Sequence, residues 1–229
     1  LCGLLVIILL YYVFDNKKNY MLSKEIIILA VIILLTFSMS GIVYTAVGIL
    51  VLFLFQVFKN KECIPRRMLM YFLFGICLLI IILSTNNPIS NRFFSMFLGM
   101  DGSYNFRWSA AVNVFRKTME ITDYWGMGLG NMNTPSGLSF LLSIGIDYKF
   151  ANSFLYFFTE NGMLGIIYTI YLFLICIYNC IKSSKNIRPL KVGVLAFAFV
   201  SQIAGGYYTD PILWIVYGIV CSNEKTVIN

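Results

Sequence analysis

Long apolar segments dominate this chain and restrict what it can fold into. Hydrophobic residues make up 59% of its 229 positions and charged residues only 12%. A soluble core of this size could not bury that much apolar surface, so we expect a lipid bilayer to be the solvent. The sequence predicts an all-α, polytopic bundle of transmembrane helices from the apolar segments at about 1–14, 26–37, 41–58, 68–84, 153–181, 192–206 and 211–221.

Two stretches do not have the length of a single span. The run that begins at Leu1 and ends at Phe14 is shorter than the roughly 20 residues of a full span, so we interpret it as the truncated first helix of a longer protein. The apolar residues between 26 and 58 are too many for one straight span. Because Ser38-Met39-Ser40-Gly41 lies in their middle, we predict a reversal of the chain there.

Basic residues cluster in three of the short polar stretches, at 15–25, 59–67 and 182–191, which hold 11 of the 17 lysines and arginines. With a reversal at Ser38–Gly41 these stretches fall on one side of the membrane, and the positive-inside rule makes that side the cytoplasm. The long stretch 85–152 is then extracytoplasmic. The net charge of +7 is therefore explained by topology, and we expect no nucleic-acid partner.

The chain accordingly divides into transmembrane helices at 1–84, an extracytoplasmic loop at 85–152, and transmembrane helices with a short C-terminal tail at 153–229. Within the loop, apolar residues recur at helical spacing, which predicts an amphipathic helix containing Phe106, Ala110, Val114 and Phe115. An interfacial helix with snorkelling cations and no chemistry would show the same pattern.

Histidine is absent, and the six cysteines form no recognisable metal or disulfide pattern. Histidine-dependent catalysis and histidine ligation of a metal are therefore excluded. The cysteines lie mostly in apolar segments, with only Cys63 in a basic stretch, and we interpret them as small apolar residues. We expect neither a metal nor another cofactor.

Two further patterns in and after the loop predict a site. Gly126-Met127-Gly128-Leu129-Gly130 lacks the strand and spacing of a dinucleotide fingerprint, but alternating glycines allow amide groups of a turn at Gly128 and Gly130 to approach phosphate or sugar oxygens. A glycine-rich return of the loop toward the membrane is the alternative. Three polar residues then share a helix face at a spacing of four residues, namely Asn152, Tyr156 and Glu160. An acid near a span is costly unless it is paired or functional.

These pieces, in this order, resemble the C-terminal half of the O-antigen polymerase and O-antigen ligase family over roughly residues 26 to 220. The resemblance is carried by the "TFSMSG" break, "FRWSAAVNVF", "WGMGLGN" and "NSFLYFFTENGMLG". It implies a multi-pass enzyme of the bacterial inner membrane whose external loop handles undecaprenyl-diphosphate-linked glycans, alongside a flippase and a chain-length regulator. Ligases of the family carry a histidine where Ala151 stands, so a polymerase of O-antigen, capsule or exopolysaccharide is favoured over a ligase.

The resemblance also implies roles for residues. Arg107 matches the family's loop arginine and would contact the lipid diphosphate, with Arg92 and Arg116 as further candidates. Arginine suits this role because its guanidinium binds phosphate with two parallel hydrogen bonds, which makes a metal unnecessary. For a general base the options are carboxylates, namely Glu160, Asp147, Asp123 and Asp210, and we favour Glu160.

A flippase or transporter of lipid-linked sugars is the main alternative of another class. Such a protein would share the hydrophobicity and the arginines, but it would be expected to carry charges along a pathway through the spans. The predicted spans are nearly free of charge. A non-catalytic membrane partner would not need a long, polar outer loop that carries arginines.

Overall fold

Helices account for the regular structure of this protein. The computed structural model describes residues 2–15, 24–35, 39–59, 106–145, 152–204 and 209–222, with isolated positions between 73 and 102. Within these ranges there is no strand, so the predicted all-α class is confirmed. The helices are α1 (Cys2–Asp15), α2 (Lys24–Leu35), α3 (Met39–Lys59), α4 (Ala111–Ile121), α5 (Pro135–Ser143), α6 (Ser153–Lys182), α7 (Arg188–Ala204) and α8 (Pro211–Cys221).

The predicted division of the 26–58 run is confirmed, since α2 ends at Leu35 and α3 begins at Met39. The predicted position is too late in the chain, because Met39, Ser40 and Gly41 already belong to α3. Two helices in the described part of the chain, α3 and α6, are long and apolar enough to cross a membrane. Apart from isolated positions, the predicted segment 68–84 lies outside the described residues.

Close contacts between small residues fix the directions of α1 and α3. Gly3 lies against Thr45, and the side chain of Ile7 lies against Gly48. The later residue of α1 thus contacts the later residue of α3, which means that α1 and α3 run in the same direction. Their ends near residues 15 and 59 consequently lie at the same end of the bundle.

Helix α7 packs against α3 in the opposite direction. A Cβ atom on Gly193 would lie 3.1 Å from the carbonyl oxygen of Gly48, while the rings of Phe197 and Tyr44 are 5.6 Å apart. Small residues allow this close approach of helix backbones, which is the usual way that membrane helices associate. The buried core around this contact includes Leu4, Ile7, Leu52, Val194, Ala198, Val216 and Val220.

Two basic residues near the start of α7 cap the C-terminal ends of other helices. Arg188 donates from Nη2 to the carbonyl oxygens of Ile181 (2.6 Å) and Ser183 (3.0 Å) at the end of α6. Lys191 is only 3% exposed and donates from Nζ to the carbonyl oxygen of Ser222 (2.8 Å) just after α8. Cations are favourable at these ends because the terminal carbonyl groups carry partial negative charge. Both residues therefore have a structural role besides their contribution to the charge pattern.

The helix ends that adjoin the three basic stretches meet at one end of the bundle. Tyr11, near the end of α1, donates its hydroxyl to the carbonyl oxygen of Asn186 (3.1 Å). The parallel α1 and α3 and the antiparallel α7 bring the ends next to 15–25, 59–67 and 182–191 together. The described ends of these helices therefore lie together, whereas the side of a membrane on which the basic stretches lie stays a prediction.

Helix α6 is not one straight rod, which corrects the expectation of a single apolar helix over 153–181. Its 30 residues are interrupted at Gly162, whose φ of 57° and ψ of −144° are not helical. The rings of Phe154 and Phe173 are 6.0 Å apart, and those of Phe157 and Tyr168 are 6.2 Å apart. In a straight helix the first pair would be separated by about 28 Å.

Helix α6 is therefore a helical hairpin. We call residues 153–161 its short arm and residues 163–182 its long arm. The long arm measures about 30 Å, which matches the apolar thickness of a bilayer, and its outer face exposes large apolar side chains such as Leu164 (62%) and Ile181 (65%). Exposed apolar surface of this extent is typical of a helix that contacts lipid. The short arm folds back beside the long arm.

The remaining described residues, 106–145, lie at the end of the bundle away from the basic stretches. Arg107 donates from Nη1 to the Oγ of Ser40 (3.0 Å), at the start of α3. Asn152, just before α6, donates from Nδ2 to the carbonyl oxygen of Ile203 (3.0 Å), near the end of α7. We call residues 106–145 the outer layer. The bundle thus has a basic end and an opposite end that carries the outer layer.

This polarity gives an expectation for labelling in cells. Ser139 is exposed in the outer layer and Lys185 is exposed at the basic end. In a variant that lacks the native cysteines, an impermeant maleimide should label Ser139→Cys in intact cells, but Lys185→Cys only after permeabilisation, because cytoplasmic loops collect basic residues. The opposite labelling pattern would show that the outer layer faces the cytoplasm.

Candidate functional site

The outer layer is built on α4, which confirms the predicted amphipathic helix at Val114 and Phe115, whereas Phe106 and Ala110 lie before α4. A turn of π-helix at Phe106–Ala110 precedes it. Its inner face buries Ala111, Val114 and Met119, whereas Arg116 and Glu120 form an exposed ion pair of 3.0 Å. Ala111 and Val114 pack with Met132, Leu141 and Tyr156 into a small core of their own. This core joins the outer layer to the short arm of α6.

The glycine run binds the end of the short arm through its backbone. Met127 donates its N–H to the carbonyl oxygen of Thr159 (3.0 Å), and Gly128 donates its N–H to that of Glu160 (2.8 Å). Carbonyl groups at a helix C-terminus have no partner within the helix and need donors from elsewhere. The run therefore supplies the donors that allow the helix to stop at Gly162.

The start of the long arm is satisfied by the same segment. Met163 donates its N–H to the carbonyl oxygen of Tyr124 (3.0 Å). Glycine is required on both sides of this contact: a Cβ atom on Gly126 would lie 2.5 Å from the amide nitrogen of Gly162, and one on Gly162 would lie 2.7 Å from the carbonyl oxygen of Trp125. Both glycines also have positive φ, at 80° and 57°. The hairpin and the glycine run thus fit together through their backbones.

Glu160 is fully buried at this junction, with 0% exposure. Its Oε1 accepts a hydrogen bond from the N–H of Met132 (3.1 Å) in the turn Asn131–Asn133. Asn152 and Tyr156, predicted on the same helix face, are also buried, at 1% and 4% exposure. The shared face predicted from the spacing therefore points into the protein. A role in catalysis for Glu160, and in substrate binding for Asn152 and Tyr156, stays a prediction.

Arg107 lies half-buried at the rim between the outer layer and α3. Its hydrogen bond to Ser40 joins two residues that are 67 positions apart, and it precedes α4 in the π-helical turn. The next residue, Trp108, is 44% exposed and forms part of the wall of a groove. Ser40 was not among the predicted site residues. In the sequence, Ser40 stood out through its position in the predicted reversal, which does not indicate a contact with Arg107.

The groove beside Trp108 has a volume of about 430 Å³ and an almost entirely apolar lining. It runs along the two arms of α6 and one side of α7. Its wall is formed by Trp108, Asn152, Phe154, Leu155, Phe158, Thr169, Ile170, Phe173, Leu174, Phe199 and Ile203. A groove of this volume and polarity suits a hydrocarbon chain and offers little to a polar ligand.

The other predicted site residues are placed as follows. Arg116 has a side chain that is 76% exposed, and it pairs with Glu120. Gly128 and Gly130 lie in an exposed turn with φ of 96° and 74°. Arg92 lies outside the described residues. Among these described residues, Gly128 contacts Glu160 through its backbone N–H, whereas no contact that we describe joins Arg116 or Gly130 to Arg107 or Glu160.

Within the part of the chain that is described, no three acidic, cysteine or histidine side chains are placed to hold a metal ion. Comparison with family models, curated proteins and solved structures finds no match to this chain. The fold defines the class: an all-helical protein with two helices that could cross a membrane and an outer layer seated on a helical hairpin.

Proposed function

We propose that this protein is a membrane glycosyltransferase that polymerises undecaprenyl-diphosphate-linked oligosaccharide repeats into O-antigen, capsular polysaccharide or exopolysaccharide. In this proposal it is a multi-pass protein of the bacterial inner membrane, and its outer layer works on the extracytoplasmic face. Its partners are the lipid-linked glycan, membrane lipid, a flippase and a chain-length regulator.

The observation that best supports the proposal is the position of Arg107. Its guanidinium lies at the rim of the bundle, and its neighbour Trp108 lines the apolar groove. A polyprenyl diphosphate has a long hydrocarbon chain joined directly to two phosphates. A groove whose wall includes the chain neighbour of an arginine suits both parts of such a molecule, so we assign the polyprenyl chain to the groove and the diphosphate to Arg107.

The chemistry needs a cation at this place. An acceptor hydroxyl attacks the anomeric carbon of the donor sugar, the bond from that carbon to the diphosphate oxygen breaks, and undecaprenyl diphosphate leaves. The guanidinium stabilises the charge that develops on the leaving group, and the hydroxyl proton passes to a base or to solvent. Arg107 is suited to this role because two of its N–H groups can bind one phosphate.

The proposal is tested by deletion of the gene and gel analysis of the surface glycan, followed by complementation with the whole gene. We expect surface glycan with a single repeat, because unpolymerised repeats can still be transferred. Long lipid-linked polymer that is not transferred to its acceptor would instead identify a ligase. Loss of repeats from the outer face, with accumulation of single repeats on the cytoplasmic face, would indicate a transporter.

A further inference from the structure

Glu160 combines complete burial with a defined hydrogen-bond partner, and this combination bears on what the acid does. We infer that Glu160 is a positioning residue that fixes the exposed turn of the outer layer, and that it does not take the proton of the acceptor. The activity part of this inference rests on the proposed function, whereas its structural part does not.

The side chain of Glu160 is closed off from solvent. Its exposure is 0%, and its Oε1 accepts the N–H of Met132, which is itself only 2% exposed. A general base must come within hydrogen-bond distance of the proton that it removes, directly or through one water. Because the side chain of Glu160 has no exposed surface, an acceptor hydroxyl could reach the carboxylate only if the residues that cover it moved, and the turn that contains Met132 is one of them. The carboxylate is placed to hold that turn.

Glu160 contacts the exposed turn of the outer layer at two points. The carbonyl oxygen of Glu160 accepts the N–H of Gly128 (2.8 Å), while its carboxylate accepts the N–H of Met132 (3.1 Å). One residue therefore fastens both ends of the turn 128–132. Between these two points, Leu129 is 70% exposed and Gly130 is also exposed. The shape of this exposed turn, which contains both glycines predicted to bind substrate, depends on Glu160.

The hydrogen bond from the N–H of Met132 to the carboxylate of Glu160 stabilises the turn. A hydrogen bond to a charged acceptor is stronger than one between neutral groups, and a buried N–H that loses its acceptor is costly. Truncation at Glu160 would leave the N–H of Met132 without the carboxylate oxygen. Glutamine keeps an oxygen at the same place but has no charge and cannot act as a base. The two substitutions therefore separate positioning from proton transfer.

The test measures amide hydrogen exchange and polymer length in the complete protein. In Glu160→Ala we expect the backbone amides of residues 127–132 to exchange roughly 10- to 100-fold faster, and polymer to be lost or shortened. In Glu160→Gln we expect exchange within about tenfold of wild type, polymer of wild-type length, and an unchanged pH profile of polymer synthesis.

Glu120 provides the matched control. It is an exposed acid on α4, and it forms an exposed ion pair with Arg116 of the same helix. Glu120→Ala and Glu120→Gln should change neither readout. If Glu160→Gln made no polymer while its amides stayed protected, Glu160 would be the base and the inference would be wrong. Unchanged exchange in Glu160→Ala would also overturn it.

The readouts distinguish failure of this inference from failure of the proposed function. If deletion of the gene left the glycan unchanged, the proposed function would fail, but hydrogen exchange would still decide whether Glu160 fixes the turn. If Glu160→Ala did not accumulate, Glu160→Gln would decide the matter, because normal polymer supports positioning and absent polymer with protected amides contradicts it.

Discussion

Replacing Gly162 with alanine is expected to destabilise the protein by about 4 kcal/mol or more, which would prevent its accumulation in the membrane. The backbone of Gly162 has φ of 57° and ψ of −144°, a region in which residues with a side chain are strained. In addition, a Cβ atom there would overlap the carbonyl oxygen of Tyr124, which accepts the N–H of Met163, so this backbone atom cannot move away without losing a hydrogen bond of the junction. The strained backbone and the overlap of the added Cβ atom therefore both destabilise Gly162→Ala.

The measurement is thermal unfolding of the detergent-purified protein, together with its level in the membrane. Gly218→Ala is the matched control, because Gly218 lies within α8 and a Cβ atom there would have no neighbour within 4 Å. This control should be neutral, or stabilising by up to about 1 kcal/mol, since alanine favours a helix. Normal stability of Gly162→Ala would show that the hairpin does not need the positive φ.

Arg107→Lys and Arg107→Ala are both expected to abolish polymer while the protein remains at its normal level. A lysine keeps the positive charge, can snorkel, and can still donate a hydrogen bond to Ser40, which Arg107 contacts at 3.0 Å. What lysine loses is the planar pair of N–H groups that fits a phosphate. A structural cation would therefore be rescued by lysine, whereas a diphosphate contact would not.

Polymer length on gels, with membrane protein level as the reference, checks this expectation. Lys185→Ala is a suitable control, because Lys185 is an exposed cation at the opposite end of the bundle. It should make polymer of normal length. Normal polymer in Arg107→Lys would contradict the diphosphate contact and would favour a structural role for the charge.

Local patterns predicted several elements correctly. The separation of α2 from α3 followed from a run of apolar residues longer than one span with serine and glycine in its middle. The amphipathic α4 followed from apolar residues at helical spacing, and Val114 on its predicted face is completely buried. Both signals depend on residues that are close in sequence, so no knowledge of the fold was needed.

The hairpin in α6 could not be predicted in this way. The apolar pattern continues through Gly162, and glycine alone does not end a helix within an apolar segment. The break is stable because Met127 and Gly128, more than thirty positions earlier, donate to the carbonyl oxygens of Thr159 and Glu160. Such partners become known only when the fold brings them together.

The sequence determined that the chain is helical and that it carries more apolar surface than a soluble core can bury, because composition and periodicity act locally. The tertiary structure decided that Glu160 is buried and that Arg107 contacts Ser40. Spacing places a side chain on a helix face, but its exposure depends on what packs against that face. Burial and long-range hydrogen bonds therefore appear only once the outer layer is seated on the hairpin.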